Sequence, residues 1–154
     1  MFYHKIVDTL EKHHVAYAIV GGFAVALHGA VRGTVDLDLV LRLNEGQFTA
    51  FEKAMGAIGL VSRLPVNAKQ VFQFREEYIK NRNLVAWSFY NPKAPAEVVD
   101  VIVTHDLNKM KTKKISIGER KIQVLAIDDL IKMKEAAGRP QDLEDVKALK
   151  ELKR

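Results

Sequence analysis

The segment Val35–Leu43 alternates without a fault. Val35, Leu37, Leu39, Leu41 and Leu43 fall on one side of an extended chain, and Asp36, Asp38 and Arg42, together with Val40, fall on the other. A helix would scatter these leucines around its circumference, so the period of two dictates a β-strand with one face against a core. Residues two apart on a strand point the same way at a spacing of about 6.5–7 Å. Asp36 and Asp38 therefore bring like charges together in an apolar setting. Repulsion and lost hydration penalise that arrangement unless the face is wet or a cation lies between the two acids. Mg²⁺ meets the second condition, being a hard ion that prefers carboxylate oxygen and keeps waters that phosphate oxygens can replace. An antiparallel strand with a solvated face accounts for the same pattern, so other segments have to discriminate.

Upstream, Tyr17–Val20 reads as a short buried strand, stopped by Gly21-Gly22, and Phe23–Gly29 as a tightly packed helix of small and aliphatic residues. Two glycines between a strand end and a helix start let backbone amides approach a phosphate closely, although an ordinary turn uses the same residues. Downstream, Asp100 stands alone in Val98-Val99-Asp100-Val101-Ile102-Val103. An acid in such a run calls for a partner, a metal or a water-facing edge. Three acids and a glycine turn together are far more specific than any one of them.

The remaining segments frame this group. Helices are expected over 2–14, from the N-cap Asn44 to Gly59, over 127–137 and over 141–153, the last two separated by Gly138-Arg139-Pro140. Strands are expected over 84–90 and 97–104, with a hairpin over 115–124 turning at Gly118-Glu119-Arg120 and a loop over 91–95. The stretch from Leu60 to Arg82 carries the weakest signal, with a strand expected at 71–74 and a short turn or helix at 76–80. Strands and helices mix throughout, which gives an α/β (α+β) class with a mixed sheet flanked by helices. The 154 residues suit a single domain, with a core at about 17–125 and closing helices at about 127–153.

Composition removes several chemistries. No cysteine occurs, which excludes disulfides, thiol catalysis and Cys-ligated zinc. The longest uncharged apolar stretch, 15–31, is interrupted by Gly21, Gly22, His28 and Gly29, and the first residues have no apolar h-region. A cytoplasmic protein without a membrane partner is expected. A net charge of +5 mildly favours polyanionic partners. None of the five histidines has metal-ligand spacing with its neighbours, and His28 reads as a packing residue. Trp87, Phe89 and Tyr90 suit a core better than a base-stacking platform. Lys109, Lys111, Lys113, Lys114, Arg120 and Lys121 make a basic hairpin region that is either a solvated surface or an attraction for an RNA backbone.

Gly21-Gly22, Asp36-x-Asp38 and Val99-Asp100-Val101 together resemble the nucleotidyltransferase superfamily that includes DNA polymerase beta. Val20-Gly21-Gly22-Phe23-Ala24-Val25-Ala26-Leu27-His28-Gly29, with Arg32, Thr34 and Asp36-Leu37-Asp38-Leu39, looks like small bacterial nucleotidyltransferase-like proteins. The tail Asp129-Leu130-Ile131-x-Met133-Lys134, with Gly138-Arg139-Pro140-x-Asp142-x-x-Asp145, is similar to abortive-infection (type IV toxin) nucleotidyltransferases. The resemblance implies a nucleotidyltransferase fold and transfer of a nucleoside monophosphate from an NTP such as ATP to a hydroxyl, with release of pyrophosphate. It implies two Mg²⁺ ions, with Mn²⁺ as a substitute. Asp36 and Asp38 would hold both ions, and Asp100 would complete the acceptor-side ion. Gly21, Gly22, Arg32, Thr34, Lys134 and Arg139 would contact the nucleotide. The implied acceptor is tRNA or a protein, in the toxin half of a toxin–antitoxin pair with a cognate antitoxin as partner. Adenylylation of an antibiotic or other small molecule is the alternative enzyme. A nucleotide- or RNA-binding module without turnover is the non-enzymatic one. Simpler roles compete at single positions. Lys134 would lie on a solvated helix face, Arg139 would pair with Asp142 or Asp145, and those two acids would serve a helix dipole.

Overall fold

The computed structural model describes residues 2–30 and 36–153. The expected nucleotide contacts Arg32 and Thr34 therefore lie outside the described residues. The order of elements is α1 (Phe2–Lys12), β1 (Tyr17–Val20), α2 (Gly21–Leu27), β2 (Leu37–Leu41), α3 (Glu45–Ala57), β3 (Val61–Ser62), α4 (Ala68–Gln73), α5 (Arg75–Arg82), β4 (Ala86–Asn91), β5 (Ala94–Ile102), β6 (Thr112–Ile117), β7 (Arg120–Leu125), α6 (Ile127–Ala137) and α7 (Pro140–Leu152), with a 3-10 turn at Leu107–Lys109.

The seven strands form one sheet in the order β3-β4-β5-β2-β1-β7-β6. β2 runs parallel to β5 and β1 parallel to β7, while the other neighbours are antiparallel. The sheet is thus mixed, as the alternation of element types requires. Leu37, Leu39 and Leu41 point to one face with Ile19, Val99 and Val101, and all six are buried. On that face α3 lays its aromatic stripe across β4. Phe48 stacks on Trp87 at 5.9 Å between ring centroids, and Phe51 meets Phe89 edge-on at 5.3 Å. Trp87, Phe48, Phe51 and Phe89 are among the largest fully buried side chains, so the aromatic cluster is core. The opposite face carries α2, α6 and α7.

Local chemistry explains where the elements begin. The Asn44 side chain accepts from the Gln47 backbone N–H at 3.1 Å and starts α3. Residues 71–73 are helical and Phe74 is the turn between α4 and α5, not the expected strand. Asn67 and Gln70 form a reciprocal capping box, each side chain accepting the other's backbone N–H at 2.9 Å, and this nucleates α4 against the β preference of Val71 and Phe72. Residues 91–95 are not an open loop either. Asn91 pairs with Ala94 across a Pro92-Lys93 turn, and the Asn91 side chain accepts the Lys93 N–H at 3.0 Å. Pro140 opens α7, where its missing N–H has no helical partner to lose.

Candidate active site

Strand register builds the site. Val20 on β1 lies opposite Asp38 on β2, Asp38 opposite Asp100 on β5, and Asp100 opposite Ser88 on β4. Directly paired residues share a face, so Asp38, Asp100 and Ser88 stand in one row on the face away from the aromatic core. The Ser88 hydroxyl donates to Asp100 Oδ1 at 2.5 Å. Asp38 and Asp100 are direct neighbours across the parallel strands, so each carboxylate feels the other's charge. Burial, with the charges of Asp100 and Asp36, pushes the Asp38 carboxyl up to about 7, against a smaller opposing pull from Lys134.

Gly21 closes the row from the other side. Its φ of +70° lies in the region that favours glycine, and a Cβ built there would stand 2.1 Å from Asp38 Oδ2. Both the backbone conformation and the space exclude a side chain. α2 begins at this glycine, so Gly21-Gly22 form its first turn and not a separate turn before it. The glycines and the first acid are thereby one local unit.

Asp36 occupies a different environment from the one its spacing suggests. β2 starts at Leu37, which leaves Asp36 off the ladder, exposed, with its charge still felt by Asp38. Among the described residues no three His, Asp or Glu side chains are gathered tightly enough to hold a metal alone. The assembled part of the expected acid set is the Asp38–Asp100 pair.

The C-terminal helices supply a charge network facing the pair. Lys134 on α6 is buried, with 8% of its side chain exposed, and its Nζ lies 2.9 Å from Asp145 and 3.2 Å from Asp142 on α7. It is not on a solvated face. Asp142 and Asp145 are buried too, so their main work is to neutralise Lys134 and join α6 to α7, beyond any dipole effect. The Arg139 backbone N–H, Nε and Nη2 all donate to Asp142, at 3.1, 2.7 and 3.3 Å. Burial alone would raise the Asp142 pKa, but the hydrogen bonds from Arg139 and Lys134 overcome it and hold the carboxyl below its usual range. Arg139 keeps 76% of its side chain exposed, and its charge is felt by Asp38 across the gap.

Between the sheet and α6 lies a cleft of about 480 Å³, a size that takes a small organic ligand. Gly21, Asp38, Lys134 and Arg139 line it together with the apolar Ile102 and Met133. Thr104 and His105 also border it, a placement that no pattern along the chain foretells. Burial and the nearby Arg75 charge lower the His105 pKa, favouring the neutral ring. His28 packs as expected, its Nε2 lying 2.7 Å from the Leu125 carbonyl. The signal for Ser88 was its alternation with Trp87 and Phe89, which puts it on the other face. Its partner depends on register, which one strand's pattern does not contain.

No family model and no curated protein matches the chain. Solved structures do. The antibiotic-resistance factor ANT(2'')-Ia aligns over 96% of this chain and 80% of its own, at 13% identity and a TM-score of 0.65. The lincosamide antibiotic adenylyltransferase LnuA, solved with lincomycin bound, aligns over 98% of this chain and 96% of its own, at 16% identity and a TM-score of 0.64. An antigenic nucleotidyltransferase-like protein from Paracoccidioides brasiliensis aligns over 96% of this chain and 74% of its own, at 15% identity and a TM-score of 0.58. With the seven-stranded mixed sheet and its flanking helices, these matches show that the chain has the nucleotidyltransferase fold.

Proposed function

We propose that the protein is a divalent-metal-dependent nucleotidyltransferase that moves a nucleoside monophosphate from an NTP to a hydroxyl acceptor. The observation that carries this reading is the facing pair of Asp38 and Asp100 on parallel strands, tight against Gly21. Two half-buried carboxylates paired across neighbouring strands form a donor set suited to a hard divalent cation. Fewer protein ligands than a closed cage fit Mg²⁺ or Mn²⁺, which retain waters for substrate oxygens to replace. When bound, such ions acidify an attacking hydroxyl and neutralise the triphosphate.

The chain's own groups then have distinct tasks. Asp38 and Asp100 bind the cation as carboxylates. The backbone of Gly21 and Gly22 meets the β and γ phosphates at the start of α2. Arg139, exposed at the guanidinium and anchored by Asp142, reaches the triphosphate. Lys134 is held between two acids and sets the position of α7. The acceptor oxygen bonds to the α-phosphorus as the bond to the pyrophosphate oxygen breaks, and Asp100 takes the hydroxyl proton.

The match to LnuA over almost the full length of both chains favours a small hydroxylated acceptor over a macromolecular one. The basic hairpin around β6 and β7 supports tRNA or a protein as the second reading, and a toxin–antitoxin role rests on the resemblance of the tail. Each α-³²P-labelled NTP, incubated with Mg²⁺ and separately with lincosamides, aminoglycosides, bulk tRNA and cell protein, tests the set. Label transferred to a small molecule supports the first reading, and label on tRNA or protein the second. Nucleotide binding with no transfer to any acceptor would leave a binding module instead.

A further inference from the structure

Ser88 occupies a place that its residue type alone does not explain. It lies on β4 directly across from Asp100, half-buried, on the face opposite the Trp87–Phe89 core. A serine has one hydroxyl proton, and here it goes to Asp100 Oδ1 at 2.5 Å. The Ser88 carbonyl accepts the Arg63 backbone N–H at 2.9 Å, which ties the same residue to the end of β3. The serine is thus fixed on both its backbone and its side chain.

We infer that Ser88 is a positioning residue for Asp100. It turns one carboxylate oxygen toward β4 so that the carboxylate plane is set for Asp38 and the cation the pair would bind. This rests on the proposed nucleotidyl transfer and extends it to a residue outside the acid set. The physical reason is rotamer selection. An aspartate beside a like charge relieves repulsion by rotating away, and a hydroxyl donor on the far side opposes that rotation. The donor also offsets part of the negative charge while leaving the second oxygen open. Groups that orient a metal-binding side chain in this way typically change metal affinity by about 10–100-fold when removed.

The test is Mn²⁺ titration of the protein without nucleotide, followed by electron paramagnetic resonance of free Mn²⁺, for wild type, Ser88→Ala and Ser88→Thr. Ser88→Ala is expected to weaken Mn²⁺ binding by about tenfold, with the melting temperature measured in chelator changed little. Ser88→Thr keeps the hydroxyl on a β-strand that tolerates branching, and is expected to restore binding to within about twofold of wild type. Equal Mn²⁺ affinity in wild type and Ser88→Ala would overturn the assignment while leaving the proposed activity standing. Weak binding in both Ser88→Ala and Ser88→Thr would also overturn it, since the hydroxyl would not be the cause. A wild-type protein that binds no Mn²⁺ would overturn this inference and the metal-dependent activity together.

Discussion

At the scale of single residues, Asp38 and Gly21 constrain each other. Asp38 is held where its charge is disfavoured by burial and by Asp100, and Gly21 leaves it no room to retreat. Neutralising Asp38 removes repulsion that the ligand-free fold otherwise sustains. Asp38→Asn is therefore expected to raise stability in chelator at pH 8 by about 1–3 kcal/mol, or about 2–12 °C in melting temperature for a chain of this size. The same change removes a charge the reaction needs and is expected to lower transfer by about a thousandfold, equivalent to about 4 kcal/mol of barrier. Calorimetry and labelled-NTP assays on one preparation check both signs, and a less stable, still active variant would contradict the assignment. Gly21→Ala acts the other way. Its φ of +70° and the 2.1 Å approach to Asp38 Oδ2 both oppose a methyl group. A loss of about 1–3 kcal/mol is expected from the backbone alone, and denaturant titration measures it.

At the scale of elements, α6 and α7 are joined through ions as well as apolar packing. Lys134→Ala leaves Asp142 and Asp145 buried without their shared cation, and is expected to cost about 3–5 kcal/mol, a drop of about 6–20 °C. Thermal melting of this variant beside Arg139→Ala separates the two cations. The exposed arginine should change stability much less and NTP binding more. The same network sets an acid limit. The Asp142 carboxyl is held below its ordinary value of 3.8 in the fold, so its contribution is full above about pH 4 and fades as pH falls through the lowered value. Melting temperatures between pH 5 and pH 3 should fall less steeply for Asp142→Asn than for wild type. Elements were readable from the chain wherever one residue's surroundings are set by its neighbours in sequence. The leucine alternation gives β2, Asn44 caps α3, and Pro140 opens α7. The reading of 71–74 as a strand followed β-branched and aromatic propensity, and the Asn67–Gln70 capping box overrode it. The burial of Lys134 was hidden because its two partners lie on another helix, and the Ser88–Asp100 pairing because it depends on strand register.

At the scale of the molecule, no helix among the described residues is long and apolar enough to cross a membrane. β6 forms one edge of the sheet, and Lys113 and Lys114 stand exposed on it, which discourages another strand from adding there. A ligand that binds only the folded state stabilises the whole fold, by about 2.7 kcal/mol at a hundred times its dissociation constant. Saturating Mn²⁺ should accordingly raise the melting temperature of wild type and leave that of Asp38→Asn almost unmoved. Asp38 and Asp100 ride on the fourth and third strands of seven, each hydrogen-bonded to a neighbour on both sides. Spreading those two strands would tear the middle of the sheet, so the acids cannot ease their quarrel by drifting apart. The pocket is consequently a cocked one. What the scaffold refuses to relax at rest becomes grip at the moment a counter-charge arrives.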